Sequence, residues 1–286
     1  MLEIMNYKQI LVVIVLYKCN IDNSTAFISA VNAANKASII PSFYIFDNTP
    51  GNKYHSQGKI LNGFNVEYVF SDVNLGVSGA YNRAYEYAVD NDMNWIVLLD
   101  QDTHISSDYF SEFIKAKSKS DCLLFAPVLR DIQSSKILSP CNYILGRASH
   151  MKSAESGTYK LNNKSFLNSG LIVSTRLFEL TGGYNEKLPM YFSDFNFIDR
   201  CRKYIDSYYL LNTTFCHSMS SNDKSDIDSF LPRFKMYMDG AMRCYDSAHM
   251  KFVMSIWVLL RAVKSSIQLR SSKPLSLYTE FIFHER

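Results

Sequence analysis

Two periods of apolar and polar residues alternate along the first half of the chain. Short β-rich apolar runs occur at Gln9–Tyr17, Ser42–Phe46, Val66–Phe70, Trp95–Leu99 and Leu123–Val128, separated by stretches suited to helices. That alternation is the βαβ rhythm of a mostly parallel sheet, so the chain reads as α/β. After Asn74-Leu75-Gly76, the residues Val77, Ala80, Tyr81, Ala84 and Ala88 recur at three- and four-residue spacing. This predicts a helix with one buried face, capped at its start by Ser78. A parallel sheet collects ligands at the carboxyl ends of its strands. The residues to inspect are therefore Asp47-Asn48 after the second run, Asp72 and Asn74 after the third, and Asp100-Gln101-Asp102 after the fourth.

From about Arg130 to Lys164 the pattern loosens into Ser, Asn, Gly and Lys, which reads as an insertion or a flexible face. Order resumes at Phe166. Asn168-Ser169-Gly170 precedes a strand-like Leu171-Ile172-Val173, followed by Gly182-Gly183-Tyr184, the acidic turn Ser193-Asp194-Phe195-Asn196 and a helical Phe197 to Tyr204. A last strand, Tyr208–Phe215, delivers His217. Beyond it, Phe234, Met238, Ala241, Tyr245 and Ala248 form one helical stripe, and Ile256, Trp257, Leu260, Val263 and Ile267 continue an apolar face interleaved with Arg261 and Lys264. The expected division is a main domain over residues 1–225 and an amphipathic helical tail over residues 226–286.

Composition removes several classes. The 286 residues are 47% hydrophobic and 20% charged with 11 Gly and 7 Pro, which excludes a disordered or repetitive chain. A net charge of +3 without a run of Lys or Arg argues against nucleic-acid binding. Six scattered cysteines with no Cys-x-x-Cys pair suggest neither a zinc ribbon nor a disulfide framework, and fit a reducing cytosol. The run Ile10 to Leu16 reads as a buried strand rather than a signal peptide, and Phe252 to Leu260 is too short to cross a bilayer. The 19 Tyr and 19 Phe direct attention to surfaces that meet sugars, proteins or lipid. Positive charge gathers in the tail: from Phe230 to Arg286 there are nine Lys or Arg and four Asp or Glu, a balance of +5 that leaves −2 elsewhere.

Three features could carry chemistry. Asp100-Gln101-Asp102 sets two carboxylates just past a buried strand, where they could hold a divalent cation that in turn binds a diphosphate, or simply form a solvated turn. Asp194, among aromatic neighbours, could be a general base with a raised pKa, or a helix N-cap. His217 could reach a metal or a phosphate, or be a structural histidine.

In order along the chain, Phe46-Asp47-Asn48-Thr49, Asn74-Leu75-Gly76-Val77-Ser78-Gly79-Ala80-Tyr81-Asn82, Leu99-Asp100-Gln101-Asp102, Asn168-Ser169-Gly170, Gly182-Gly183-Tyr184 and Ser193-Asp194 resemble the inverting glycosyltransferases of family 2. The likeness covers roughly residues 8 to 220, and Leu-Asp-Gln-Asp-Thr looks most like the subgroup of bacterial polysaccharide rhamnosyltransferases. The resemblance implies a GT-A fold, that is, a Rossmann-like, mostly parallel central sheet flanked by helices, here with C-terminal amphipathic helices. It implies a nucleotide-sugar pocket lined by Tyr17, Asp47, Asn74, Gly76, Asp100 and Gln101, with Asp47 accepting from the base and Gly76 letting the backbone approach the ligand closely. It further implies Asp102 and His217 as ligands of Mg²⁺ or Mn²⁺, and Asp194 as the base that deprotonates an acceptor hydroxyl. Ser193 and Asn196 depart from the acidic residues that many relatives carry at those places.

The donor implied is dTDP- or UDP-linked, first dTDP-rhamnose, with UDP-galactose or UDP-glucose behind it. The acceptor implied is a polyprenyl-diphosphate-linked glycan of O-antigen or capsule assembly, met at the inner face of the cell membrane by a cytoplasmic, peripheral enzyme. A nucleotidyltransferase would need an early glycine-rich phosphate loop, and Tyr17-Lys18-Cys19-Asn20 has no glycine there. A catalytically silent sugar-binding or assembly protein is the other alternative, and retention of Asp102 and Asp194 speaks against it. The tail is expected to face the membrane, the main domain or a second copy in a homodimer.

Overall fold

The computed structural model describes residues 9–51, 55–217 and 226–284. Its first strand, Ile10–Leu16 (β1), is an unbroken apolar run buried along its whole length, as a strand covered on both faces requires. Thr25–Ala37 (α1) follows, capped by the Ser24 hydroxyl, which accepts from the Phe27 N–H at 3.3 Å. The chain continues through Ser42–Asp47 (β2), His55–Leu61 (β3), Phe64–Phe70 (β4), Gly76–Asp90 (α2), Trp95–Asp100 (β5), Tyr109–Lys117 (α3) and Leu124–Asp131 (β6). After Ile137–Ser139 (β7), Cys141–Ile144 (β8), Arg147–His150 (β9), Gly157–Lys160 (β10) and Lys164–Ser165 (β11) come Leu171–Ser174 (β12), Thr175–Thr181 (α4), Ser193–Cys201 (α5) and Ser207–His217 (β13). Three helices complete it: Ile227–Arg243 (α6), Ala248–Gln268 (α7) and Lys273–His284 (α8).

The central sheet runs β10-β13-β6-β12-β5-β1-β2-β4-β3, with β7 added beside β6. Strands β4, β2, β1, β5, β6 and β13 share one direction, which makes the sheet mostly parallel. Strand β12 is reversed between β5 and β6. Its amino end therefore shares an edge with the carboxyl ends of its neighbours, which sets Asn168-Ser169-Gly170 beside Asp100; the Gly170 N–H donates to the Leu98 carbonyl at 2.7 Å. Side chains alternate along β1: Ile10, Val12, Ile14 and Leu16 face α1 and α3, and Leu11, Val13 and Val15 face α2, α4 and α5. This α/β architecture, helices on both faces of a mostly parallel sheet, is of GT-A type.

Four local expectations change. The hairpin partner β3 was not predicted; His55–Leu61 alternates too weakly to announce a strand, and its pairing with β4 supplies the order. The stretch 130–164, expected as an insertion or a flexible face, is a set of short strands, including a separate three-stranded sheet, β11-β8-β9. Ser78 does not cap α2; its hydroxyl is buried and donates to the Leu188 carbonyl at 2.6 Å. The tail, which the pattern suggests is an amphipathic pair of helices, is three; on α7 Met254, Val258 and Ala262 are buried, while Ile256, Leu260, Val263 and Ile267 of the sequence stripe are exposed.

Candidate active site at the carboxyl edge of the sheet

On one side of the edge, Asp47 ends β2 and is 6% exposed. Its Oδ1 accepts from the Thr49 N–H at 2.9 Å and its Oδ2 lies 3.4 Å from the Tyr68 hydroxyl of β4. Burial, then the Asp47 charge, raises the Tyr68 pKa far above the usual phenol value, so Tyr68 stays protonated as a donor. These residues line a pocket of about 570 Å³ with Lys18, Asn20, Asp22, Lys59 and Phe70. Lys59, on β3, holds its ammonium 5.1 Å from the centre of the Tyr68 ring.

Next to Asp47, the buried Asn48 fixes the entry to α2: its Oδ1 accepts from the Leu75 N–H and its Nδ2 donates to the Gly76 carbonyl, both at 2.9 Å. The Asn74 Oδ1 accepts from the Gly76 N–H at 2.8 Å. Gly76 has φ +67, and a Cβ there would lie 2.1 Å from the Pro189 carbonyl oxygen. The glycine is thus required by close packing against the Pro189 backbone, a reason different from the ligand approach expected of it. Tyr17 is exposed, and its N–H donates to Gln101 Oε1 at 2.8 Å; the Gln101 carbonyl in turn accepts from the Ser24 hydroxyl at 3.0 Å.

Asp100 ends β5, paired in register with Val15, and accepts a hydrogen bond from the Ser169 hydroxyl. Asp102, two residues on, is exposed on the following turn. No group of three or more His, Cys, Asp or Glu that could hold a metal occurs among the described residues. The side chain of His217, the other expected ligand beside Asp102, lies outside the described part of the structure; its backbone ends β13 opposite Asp131. The donor set still fits a hard cation. Mg²⁺ is ordinarily held by one or two carboxylates with the remaining positions taken by substrate phosphates and water, and Asp100 and Asp102 supply carboxylate oxygens of that kind.

Asp194 arrives from the opposite side of the edge, in the first turn of α5, so it is not the N-cap; that position is Phe192, at φ 65. Its Oδ1 accepts from the Phe195 N–H at 2.8 Å. Burial, seconded by the charge of Asp100, pushes its pKa up to about 7 against the pull of that N–H. Asp194 is half-buried and its surroundings are closed: Tyr81 and Tyr184 are enclosed and keep their protons, raised first by desolvation and then by neighbours that include Asp100 and Asp194. Tyr184 stacks on Phe197 at 4.3 Å and donates to Asn168 Oδ1 at 2.7 Å. Asn82 of α2 brackets the Gly183-Tyr184 turn, accepting from the Tyr184 N–H at 2.7 Å and donating to its carbonyl at 3.0 Å.

The comparisons with known proteins follow this geometry. Residues 44–169 match Glycosyl transferase family 2, a span that takes in Asp47, the entry to α2, and Asp100 to Asp102. Over that span the chain is similar to family 2 glycosyltransferases. It resembles the dTDP-rhamnosyl transferase RfbF of Shigella flexneri, at 22% identity over 192 residues, 67% of this chain and 62% of that relative. Among solved structures, TarS 1-349 of S. aureus covers 91% of this chain and 73% of its own length at TM-score 0.53 and 14% identity. GalNAc-T7, solved with UDP, GalNAc and Mn2+, covers 92% of this chain and 58% of its own length at TM-score 0.57 and 11% identity. At these identities the two structures establish a shared fold.

Sequence reasoning missed Tyr68 and Lys59, and it placed Asn48, Ser169 and Tyr81 in motifs without giving them roles. Tyr81 was visible in a buried helical stripe and in the motif running from Asn74 to Asn82, and Tyr68 only as a strand residue. Asn196, one of the departures, donates through Nδ2 to the Cys244 carbonyl at 2.8 Å and so ties α5 to the tail.

Proposed function

We propose that this protein is an inverting glycosyltransferase that moves a sugar from a nucleotide-sugar to a hydroxyl of a lipid-linked glycan in O-antigen or capsule assembly. The observation that carries the reading is Asp194: a carboxylate with a pKa near 7 lies within electrostatic reach of Asp100, at a sheet edge that also bears a pocket lined by Asp47. The nucleotide base enters that pocket, where Asp47 accepts from its ring N–H. Asn74, Gly76, Asp100, Gln101 and Tyr17 border the ribose and diphosphate. The acceptor oxygen attacks the anomeric carbon from the Asp194 side as the bond to the diphosphate breaks, and its proton passes to the carboxylate. One displacement inverts the configuration and needs no nucleophilic Ser or Cys. Mg²⁺ or Mn²⁺, held by Asp102 with Asp100 and His217 nearby, would neutralise charge on the departing nucleoside diphosphate.

The likeness to a dTDP-rhamnosyl transferase supports dTDP-rhamnose as the first donor to try, with UDP-glucose and UDP-galactose next. Work at the inner face of the cell membrane, as a cytoplasmic peripheral enzyme, follows from the lipid-linked acceptor; no helix among the described residues is long and apolar enough to cross a membrane. A thermal-shift screen of the purified chain with dTDP, UDP and their sugars, with and without Mn²⁺, tests the donor site, because a ligand that binds only the folded state raises its melting temperature. A metal-dependent shift with one nucleotide class is expected. A folded sample that responds to none of them would contradict the proposal and favour a silent sugar-binding or assembly protein.

A further inference from the structure

Helix α7 has two apolar faces where a helix packed on a single core needs one. Met254, Val258 and Ala262 are buried in a cluster with Phe234, Met238 and Phe192. Phe252, Ile256, Leu259, Leu260, Val263 and Ile267 are all exposed, Phe252 at 66% and Ile267 at 72%. At about 100° per residue these six fall within one arc of roughly 100°, turned away from the buried face. No charged residue interrupts the arc. Lys264 borders it, Lys251 is exposed in the first turn, and Arg270 and Lys273 follow the helix end; from Ser247 through Thr279 the sequence contains no Asp or Glu.

We infer that α7 seats on an anionic lipid surface, with its exposed stripe at the boundary of headgroups and acyl chains and its lysines and arginines against lipid phosphates. The charge decides the occupant. A second copy meeting this face would bring the same uncompensated cations to the interface, whereas anionic headgroups neutralise them. The helix lies on the surface rather than through it, since it falls short of a membrane span. The bundle that presents the stripe also holds the loop before the base: Tyr237 of α6 packs on Phe192 at 5.0 Å, and a Cβ at Gly240 would lie 2.9 Å from the Tyr191 carbonyl oxygen. The seat therefore sets Asp194 at a fixed place relative to the bilayer. Its use in meeting a lipid-linked acceptor rests on the proposed function, and the seat itself does not.

Co-sedimentation of the full chain with vesicles of phosphatidylcholine alone, and of phosphatidylcholine with phosphatidylglycerol, tests the seat. Binding is expected to favour the anionic vesicles and to weaken with salt. Ile256→Ser combined with Val263→Ser should lower it at least about tenfold, and Lys251→Gln combined with Lys264→Gln on the order of tenfold. Both double variants alter exposed positions and should melt like the parent. Equal binding to both vesicle types, no binding, or full binding by the double variants would overturn the inference. So would a concentration-dependent dimer that Ile256→Ser with Val263→Ser abolishes in a chain that ignores vesicles. The nucleotide-induced thermal shift, read on the same samples, separates the two claims: vesicle binding without any nucleotide response leaves the seat standing and fails the transferase reading.

Discussion

Asp47 and Asp194 stand at the same sheet edge and are held by different means. Asp47 is set locally: it ends the strand that carries it, Thr49 two residues on donates to it, and Tyr68 reaches it from the adjacent parallel strand. Asp194 is set from a distance. Pro189 backs onto Gly76, Asn82 brackets Tyr184, Phe195 stacks on Tyr143 of the small sheet at 4.5 Å, and Asn196 grips the Cys244 carbonyl. Hydrogen-bond donors close at hand stabilise a bound charge, whereas apolar packing drawn from several elements disfavours one. The first arrangement suits a fixed acceptor of a hydrogen bond, and the second a group that gains and loses a proton near neutral pH.

Substitutions can break this contrast. The largest effect is expected from Asp194→Asn, which should lower turnover by roughly 10³-fold while leaving nucleotide binding, read by calorimetry, near that of the parent. The same substitution tests the burial. A carboxyl whose folded pKa lies near 7 rather than near 4 binds more protons folded than unfolded between those values, so its contribution to stability is full below about pH 4 and falls as pH rises through about 7. Asp194→Asn should therefore melt higher than the parent at pH 8, by an amount on the order of 2 kcal/mol, with little difference at pH 4.

Gly76→Ala probes the joint between the two sides. The added Cβ would collide with the Pro189 carbonyl at a positive φ, so a loss of roughly 2–4 kcal/mol in chemical denaturation is expected, together with reduced turnover in what remains folded. Asp102→Ala should weaken nucleotide-sugar binding about tenfold or more in the presence of Mn²⁺ and leave metal-free binding unchanged. The smallest change is expected from Tyr68→Phe, which removes one neutral hydrogen bond to Asp47; a few-fold loss of pyrimidine-nucleotide affinity, corresponding to about 1 kcal/mol, should appear in the same titration.

The contrast also explains what could be read from the sequence. The Asp47 side was legible because strand, turn and edge residue are contiguous there: apolar runs lead into the polar residues that sit at the edge, and β1, β2, β4 and β5 fall close to where periodicity puts them. The base side was legible only as a motif. That Asp194 shares an edge with Asp100 depends on β12 running backwards between β5 and β6, which no local period reveals. Glycines and polar residues of the motifs also proved to have structural duties that spacing could not distinguish from ligand contact: Gly76 against Pro189, Ser78 to Leu188, Asn82 to Tyr184. In the tail, α7 carries two apolar stripes, and the pattern alone does not say that Met254, Val258 and Ala262 form the buried one.

The pH dependence of turnover tests the central claim most directly. With the nucleotide-sugar that gives the largest thermal shift and a lipid-linked acceptor, kcat should fall as pH drops through about 7, because protonation of Asp194 removes the base, while donor affinity stays level across the same range. A kcat that holds constant from pH 5 to pH 8 would contradict the assignment of Asp194 as the group that takes the acceptor proton.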